Sequence, residues 1–152
     1  MTTTRIERHL HAPPAVVYRA LLDPALVQRW MVPDGMTSQI HSFEAVVHGT
    51  FRISLTYEES TGTGKTTAQT DTFHGQFARL TPDREVVQVV EFETDDPALQ
   101  GAMTITYSLT GAGDGTDLIG THEGLPDGVR PEDNEVGWRR SIDKLTALVE
   151  AG

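Results

Sequence analysis

The chain has 152 residues, 38% of them apolar, with 22 acidic against 12 basic side chains and a net charge of −10. That length fits one domain, residues 1–152, with one sizeable core, and the acidic surface argues against phosphate backbones and anionic membranes as partners. The absence of cysteine excludes disulfides, thiolate catalysis and cysteine-ligated zinc.

The N-terminal MTTTRIERHLH is polar and lacks the apolar core of a signal peptide. No apolar run is long enough to span a bilayer, so a cytoplasmic location is expected. RIERHLH, residues 5–11, alternates with Ile6 and Leu10 on one side and predicts a strand. PPAVVYRALLD predicts a short helix opened by proline, with Val16, Val17, Ala20 and Leu21 apolar. Asp23-Pro24 then supplies an N-cap and a first-turn proline for a second short helix, PALVQRWM, which VPDG ends as a turn.

From Met36 to Gly124 the pattern changes to period-2 alternation rich in β-branched and aromatic residues. QIHSFEAVV, FRISLTYEE, TAQTDTFHGQFARL, REVVQVVEFET, AMTITYSLT and TDLIGTHEG each predict a strand. The links carry turn residues and are short, so consecutive strands should be antiparallel neighbours. Helical spacing returns in RPEDNEVGWRRSIDKLTALVE. Trp138, Ile142, Leu145, Leu148 and Val149 share a stripe, and Arg139, Arg140, Asp143, Lys144 and Glu150 take the other side. Gly137 inside this helix costs about 1 kcal/mol relative to alanine, and close approach of helix to sheet is the expected reason. The order β-α-α-β6-α specifies an α+β fold: a seven-stranded antiparallel sheet whose apolar face the long C-terminal helix covers.

The stretch STGTGKTT, Ser60 to Thr67, ends like a phosphate-binding loop. The first glycine of that motif is missing, with Glu59 in its place, and the threonine-rich, alternating TTAQTDTF after it reads as a strand instead of the required helix. A hairpin turn is the better reading, with no nucleotide bound.

The order of elements and five local signatures converge on one resemblance. The stretches are HAPPAVVYRALLDPALVQRWMVPDG, HGTFRI, FHGQFARLTPDREVVQVVEFE, MTITYSLTGAGDGTDLIGTHEGLP and GWRRSIDKLTALVE. Together they resemble the START/polyketide-cyclase superfamily, which has the helix-grip fold of the birch-pollen allergen. More narrowly they resemble the branch named after the C-terminal domain of the heat-shock-protein-90 ATPase activator. The chain departs from that pattern at His48, where the first of two glycines is usual, and at Met31, where a second tryptophan is frequent. The resemblance implies a curved sheet wrapped around the C-terminal helix, with a cavity between them. It covers ligand carriers, aromatase/cyclases, resistance proteins and chaperone regulators.

Strand parity and helical spacing nominate the lining of such a cavity. Phe51 and Ile53 share a face with Leu55; Val90 and Phe92 share one with Val86 and Gln88; Met103, Ile105 and Tyr107 share one with Leu109. Leu118 pairs with His122, and Phe73 with Phe77 if no bulge intervenes. Trp138, Ile142 and Leu145 stand opposite, and Trp30, Met31 and Met36 lie near the expected mouth. Core packing is the commoner role of any one such apolar residue. Apolar walls with a few inward polar groups are nonetheless the usual make-up of a small-molecule site, and His122, Tyr107, Gln88, His41 and Arg8 have suitable positions. His122 is the candidate for hydrogen bonding a ligand or for general acid/base work; as a structural residue it would be satisfied by backbone or water.

His9 and His11 form an H-x-H pair on one side of the first strand. No H-E-x-x-H motif or matching carboxylate cluster is visible to supply a third ligand, so no metal and no cofactor are expected. Asp95-Asp96 and Glu58-Glu59 read as solvated turn acids, and Ser54, Ser108 and Ser141 lack a nucleophile-elbow context. The first reading is therefore binding of an apolar lipid, polyketide or aromatic molecule by a monomer or homodimer. The rivals are a cyclase, dehydratase or hydrolase using His122, Tyr107 and Arg8, and a regulator that contacts a chaperone ATPase.

Overall fold

A computed structural model describes residues 3–32, 35–57 and 70–151. Strand β1 (Thr3–Leu10) leads into helices α1 (Pro14–Leu22) and α2 (Pro24–Trp30). Six strands follow: β2 (Met36–Phe43), β3 (Thr50–Tyr57), β4 (Thr70–Thr81), β5 (Glu85–Phe92), β6 (Met103–Ala112) and β7 (Gly115–Glu123). The long helix α3 (Pro131–Ala151) comes last. The hairpin reading of Ser60–Thr67 lies outside the described residues.

All seven strands form one curved antiparallel sheet in the order β1-β7-β6-β5-β4-β3-β2. β2 to β7 are joined in sequence, as short links require, while β1 crosses to the far edge and pairs with β7 from Thr3↔Glu123 to Leu10↔Thr116. Register shifts between Ile40 and Ser42 and between Phe77 and Arg79 mark bulges in β2 and β4. Such insertions bend and twist a strand. The second lies beyond Phe77, so Phe73 and Phe77 keep one face.

Alternation sets what the concave face carries. Phe51 and Ile53, Phe77, Val86 and Val90, Met103 and Tyr107, and Leu118 are all buried there. Ile142, Leu145 and Val149 of α3 complete this core. Each fully buried aliphatic or aromatic side chain contributes about 1.5–3 kcal/mol. Asp23 caps α2 by accepting from the Ala25 amide at 3.0 Å, as its place before Pro24 suggests. Trp30 is 1% exposed, and its indole N–H donates to the Ala20 carbonyl at 2.8 Å. That bond fixes α2 against α1.

Three expectations change. The strand expected over QIHSFEAVV, residues 39–47, is β2 at Met36–Phe43, and residues 44–47 lie in the loop before β3. The link TDDPALQG, residues 94–101, expected to be a turn, contains a short 3-10 helix, Pro97–Leu99, opened by Asp96, whose carboxylate accepts from the Ala98 amide. Gly137 is not a point of close approach, because a Cβ there would meet nothing within 4 Å. The close approach is at Gly120, where a Cβ would lie 2.8 Å from the Trp138 ring. No helix among the described residues is long and apolar enough to cross a membrane.

Candidate functional site

The core fills only part of the space between sheet and helix. Toward the N-terminal end of α3 a cavity of about 600 Å³ remains. Its apolar walls include Leu55 and Phe73, Val90 and Phe92, and Met103 and Ile105, with Trp138 opposite and Met31 and Met36 from the α2–β2 region. Its polar lining includes Asp71, Gln88, Tyr107, His122 and Asn134, with Arg130, Asp133 and Arg140 contributed by α3 and the residue before it.

The sheet register explains why Tyr107 and His122 converge. Tyr107 pairs with Gly120, and His122 with Ile105. The two side chains are therefore diagonal neighbours on one face. Gly120 lies between them on that face, and its missing side chain admits the Trp138 indole. Trp138 stands edge-on to both, with ring centroids 6.0 Å from Tyr107 and 5.5 Å from His122. Its Nε1 donates to the Tyr107 hydroxyl oxygen at 3.3 Å. That occupies one lone pair and leaves the Tyr107 O–H able to donate. Burial pushes the Tyr107 pKa up to about 12, so the proton stays on.

His122 is 8% exposed. Asn134 lies 3.1 Å away, its Nδ2 facing His122 Nδ1. An amide donating to Nδ1 leaves the imidazole proton on Nε2. Nε2 is buried and has no partner among the described residues. Burial also pushes the His122 pKa down to about 4, so the ring is neutral near pH 7. The cavity wall thus offers two neutral donors, Tyr107 O–H and His122 Nε2–H. Asp71 and Gln88 add a carboxylate and an amide, both almost fully buried.

Of the residues nominated from sequence, Met31, Gln88, Val90, Phe92, Met103, Ile105, Tyr107, His122 and Trp138 line the cavity. Trp30, Phe51, Ile53, Phe77, Leu118 and Ile142 lie instead in the core beneath it. Arg8 faces α3, donating to Thr146 Oγ1 at 3.2 Å and pairing with Asp143 at 2.7 Å. His41 bonds Ser54 Oγ at 2.7 Å and does not line the cavity. Arg140, assigned to the outer side of α3, reaches the cavity rim. Sequence reasoning passed over Asp71 and Asn134. Parity with Phe73 could have found Asp71, and the i, i+4 spacing from Trp138 could have found Asn134.

The family model described as Activator of Hsp90 ATPase homolog 1-like protein matches residues 11–150. The chain belongs to this family. It is similar to a Chromobacterium violaceum protein at 34% identity and a TM-score of 0.88, covering 97% of this chain and 96% of that one. It shares the fold of the AHSA1 protein of Silicibacter pomeroyi, at 21% identity and a TM-score of 0.81 with 99% of both chains covered. It also shares the fold of DynU16, a protein of the dynemicin biosynthetic locus, at 17% identity and a TM-score of 0.69. That match covers 99% of this chain and 48% of DynU16. Curated proteins give no match. Membership in the family places the chain in the START/polyketide-cyclase superfamily.

The two departures from the family pattern have local structural settings. His48 has φ 67°, the left-handed region that glycine adopts without strain. Its conformation is held by its backbone N–H donating to the Phe77 carbonyl at 2.8 Å and by the Gln76 side-chain Nε2 donating to the His48 carbonyl at 3.1 Å. Met31 lines the cavity, where a flexible thioether can fill irregular space.

Proposed function

We propose that this protein binds a largely apolar small molecule, of lipid, polyketide or aromatic character, between the sheet and α3. The observation that carries the reading is the roughly 600 Å³ cavity with apolar walls and two buried donors, Tyr107 O–H and His122 Nε2–H. Ligand pockets typically measure about 300–1,000 Å³ and combine such walls with a few polar groups. Burying about 200–300 Å² of apolar ligand surface contributes roughly 5–8 kcal/mol before ordering costs. An unpartnered buried N–H costs about 1–3 kcal/mol, so a ligand acceptor that meets His122 recovers that penalty. The preferred ligand therefore carries a carbonyl or phenolic oxygen at one end.

Binding is favoured over acid/base catalysis. An efficient proton-transfer group has a pKa near the working pH, and His122 is far below it. A cytoplasmic location belongs to the same reading and rests on the sequence expectation. The test is native mass spectrometry of freshly purified protein, followed by a thermal-shift screen of flavonoids, polyketides and fatty acids. Bound mass or a concentration-dependent rise in Tm supports the reading; no mass and no shift across all three classes defeats it. Turnover of a polyketide-like substrate that is lost in His122→Ala while binding persists would instead make the protein an enzyme.

A further inference from the structure

The geometry points to a second site, for a divalent transition-metal ion such as Zn2+, at the opposite edge of the sheet from β2. Its ligands are His9, His11 and Asp114. H-x-H spacing on a strand puts two imidazoles on one side, but a third ligand must come from elsewhere in the fold. The β1–β7 pairing supplies it. Leu10 pairs with Thr116 and His9 with Asp117, so the β6–β7 turn carrying Asp114 lies against the end of β1.

The ligand atoms already face one another. Asp114 Oδ1 is 3.0 Å from His9 Nε2, and Asp114 Oδ2 is 2.8 Å from His11 Nδ1. One ligand atom from each of the three residues fits within a mutual span of 4.8 Å. Ligands about 2.0–2.1 Å from a tetrahedral zinc are about 3.3 Å apart. The two histidine–carboxylate contacts are within a few tenths of an ångström of that spacing, and an ion would draw the three ligand atoms inward from their 4.8 Å span. The two imidazoles meet edge to face, with centroids 4.9 Å apart and planes at 80°, so they do not stack and close the site.

A second shell is also present. His9 Nδ1 bonds Asp117 Oδ1 at 2.7 Å. A carboxylate on the far nitrogen of a ligating histidine fixes the tautomer and ring orientation, and here it reserves Nε2 for the metal. The backbone amide of His11 donates to Glu150 of α3 at 2.9 Å, which anchors the second histidine. Two nitrogens and a carboxylate suit zinc and its late first-row neighbours better than calcium or magnesium. Three protein ligands leave coordination open to water. All three residues are exposed, so the ion has a direct path in, and it would clip the edge strand to the β6–β7 turn.

The test is titration of chelator-treated protein with zinc chloride by calorimetry, and with cobalt chloride by visible absorption. The expected result is one equivalent bound, a cobalt spectrum of nitrogen/oxygen coordination, and a rise in Tm with zinc. His9→Ala, His11→Ala and Asp114→Asn should each weaken binding by at least about 10-fold, and Asp117→Asn, as an orienting residue, by about 10–100-fold. These side chains are on the surface, and unchanged metal-free Tm values would confirm that the variants fold. No binding of either metal overturns the proposal and leaves a surface histidine–carboxylate network. Binding that survives in the His9→Ala and His11→Ala variants overturns it too, by placing the ion elsewhere.

Discussion

The Trp138 indole nitrogen donates to the Tyr107 hydroxyl at 3.3 Å across the gap between α3 and the sheet. Tyr107 is 2% exposed, and this bond orients its free O–H. Tyr107→Phe keeps the ring and its edge contacts with Trp30 and Trp138 but strands the Trp138 N–H. The expected stability loss is about 1 kcal/mol, seen as a lower midpoint in urea unfolding. Ligand affinity should fall further, because the loss of a donor and the misplacement of Trp138 act on the same ligand oxygen. Unchanged affinity in Tyr107→Phe would exclude the hydroxyl from recognition.

His122 should impose a pH dependence on stability. Its folded pKa, pushed down to about 4 by burial, lies below the ordinary 6.5. Between those values the unfolded chain binds the proton that the folded chain refuses, so stability falls as pH drops from 6.5 toward 4. The full effect is about 3 kcal/mol. The difference between wild type and His122→Gln, measured by urea unfolding across this range, should carry that slope. Parallel curves would mean that His122 protonates freely in the fold.

The fold was legible because its signals are local and repeated. Proline starts for α1 and α2, strand parity and the stripe on α3 each specify an element, and short links fix the neighbours. The cavity was legible only in part. Parity placed Gln88, Tyr107 and His122 on the concave face, but it could not separate Phe51 and Phe77, packed in a ring cluster at 5.2 Å, from Phe73 and Phe92 at the cavity wall. That distinction depends on sheet curvature and on where along α3 the packing stops, neither of which is encoded in one segment. Asp114 illustrates the same limit. It lies more than 100 residues from His9 and His11, and only the β1–β7 crossover joins them.

Gly120→Ala should be destabilising although alanine is normally benign in a strand. Its Cβ would sit 2.8 Å from Trp138 Cζ2 and Cη2 and 3.2 Å from the Ile6 side chain. Overpacking of this kind costs about 1–3 kcal/mol. The displaced indole should also change the tryptophan fluorescence, to which Trp138 and Trp30 both contribute. A variant with unaltered emission and unaltered Tm would mean that the helix moves away without resistance.

His48→Gly should stabilise the protein. A non-glycine residue in the left-handed region carries a penalty of about 1–2 kcal/mol, partly offset by the greater freedom of glycine in the unfolded chain. Both backbone bonds of His48 lead to β4, so the chain cannot relax to negative φ without losing them. The expected gain is about 0.5–1 kcal/mol, read as a higher urea midpoint with unchanged slope.

Gly137 provides the separation of cavity from core that the binding proposal needs. An added Cβ meets nothing within 4 Å, and Gly137 lines the cavity beside Trp138. Gly137→Ala should therefore gain about 1 kcal/mol from helix propensity with little effect on the ligand. Gly137→Leu should keep much of that gain while filling space that a ligand would occupy. The decisive comparison is the ligand-induced Tm shift in the two variants at matched concentrations. A stable Gly137→Leu protein that no longer responds, beside a Gly137→Ala protein that does, locates the ligand between α3 and the sheet. An equal response in both would place the ligand elsewhere, whatever the cavity volume.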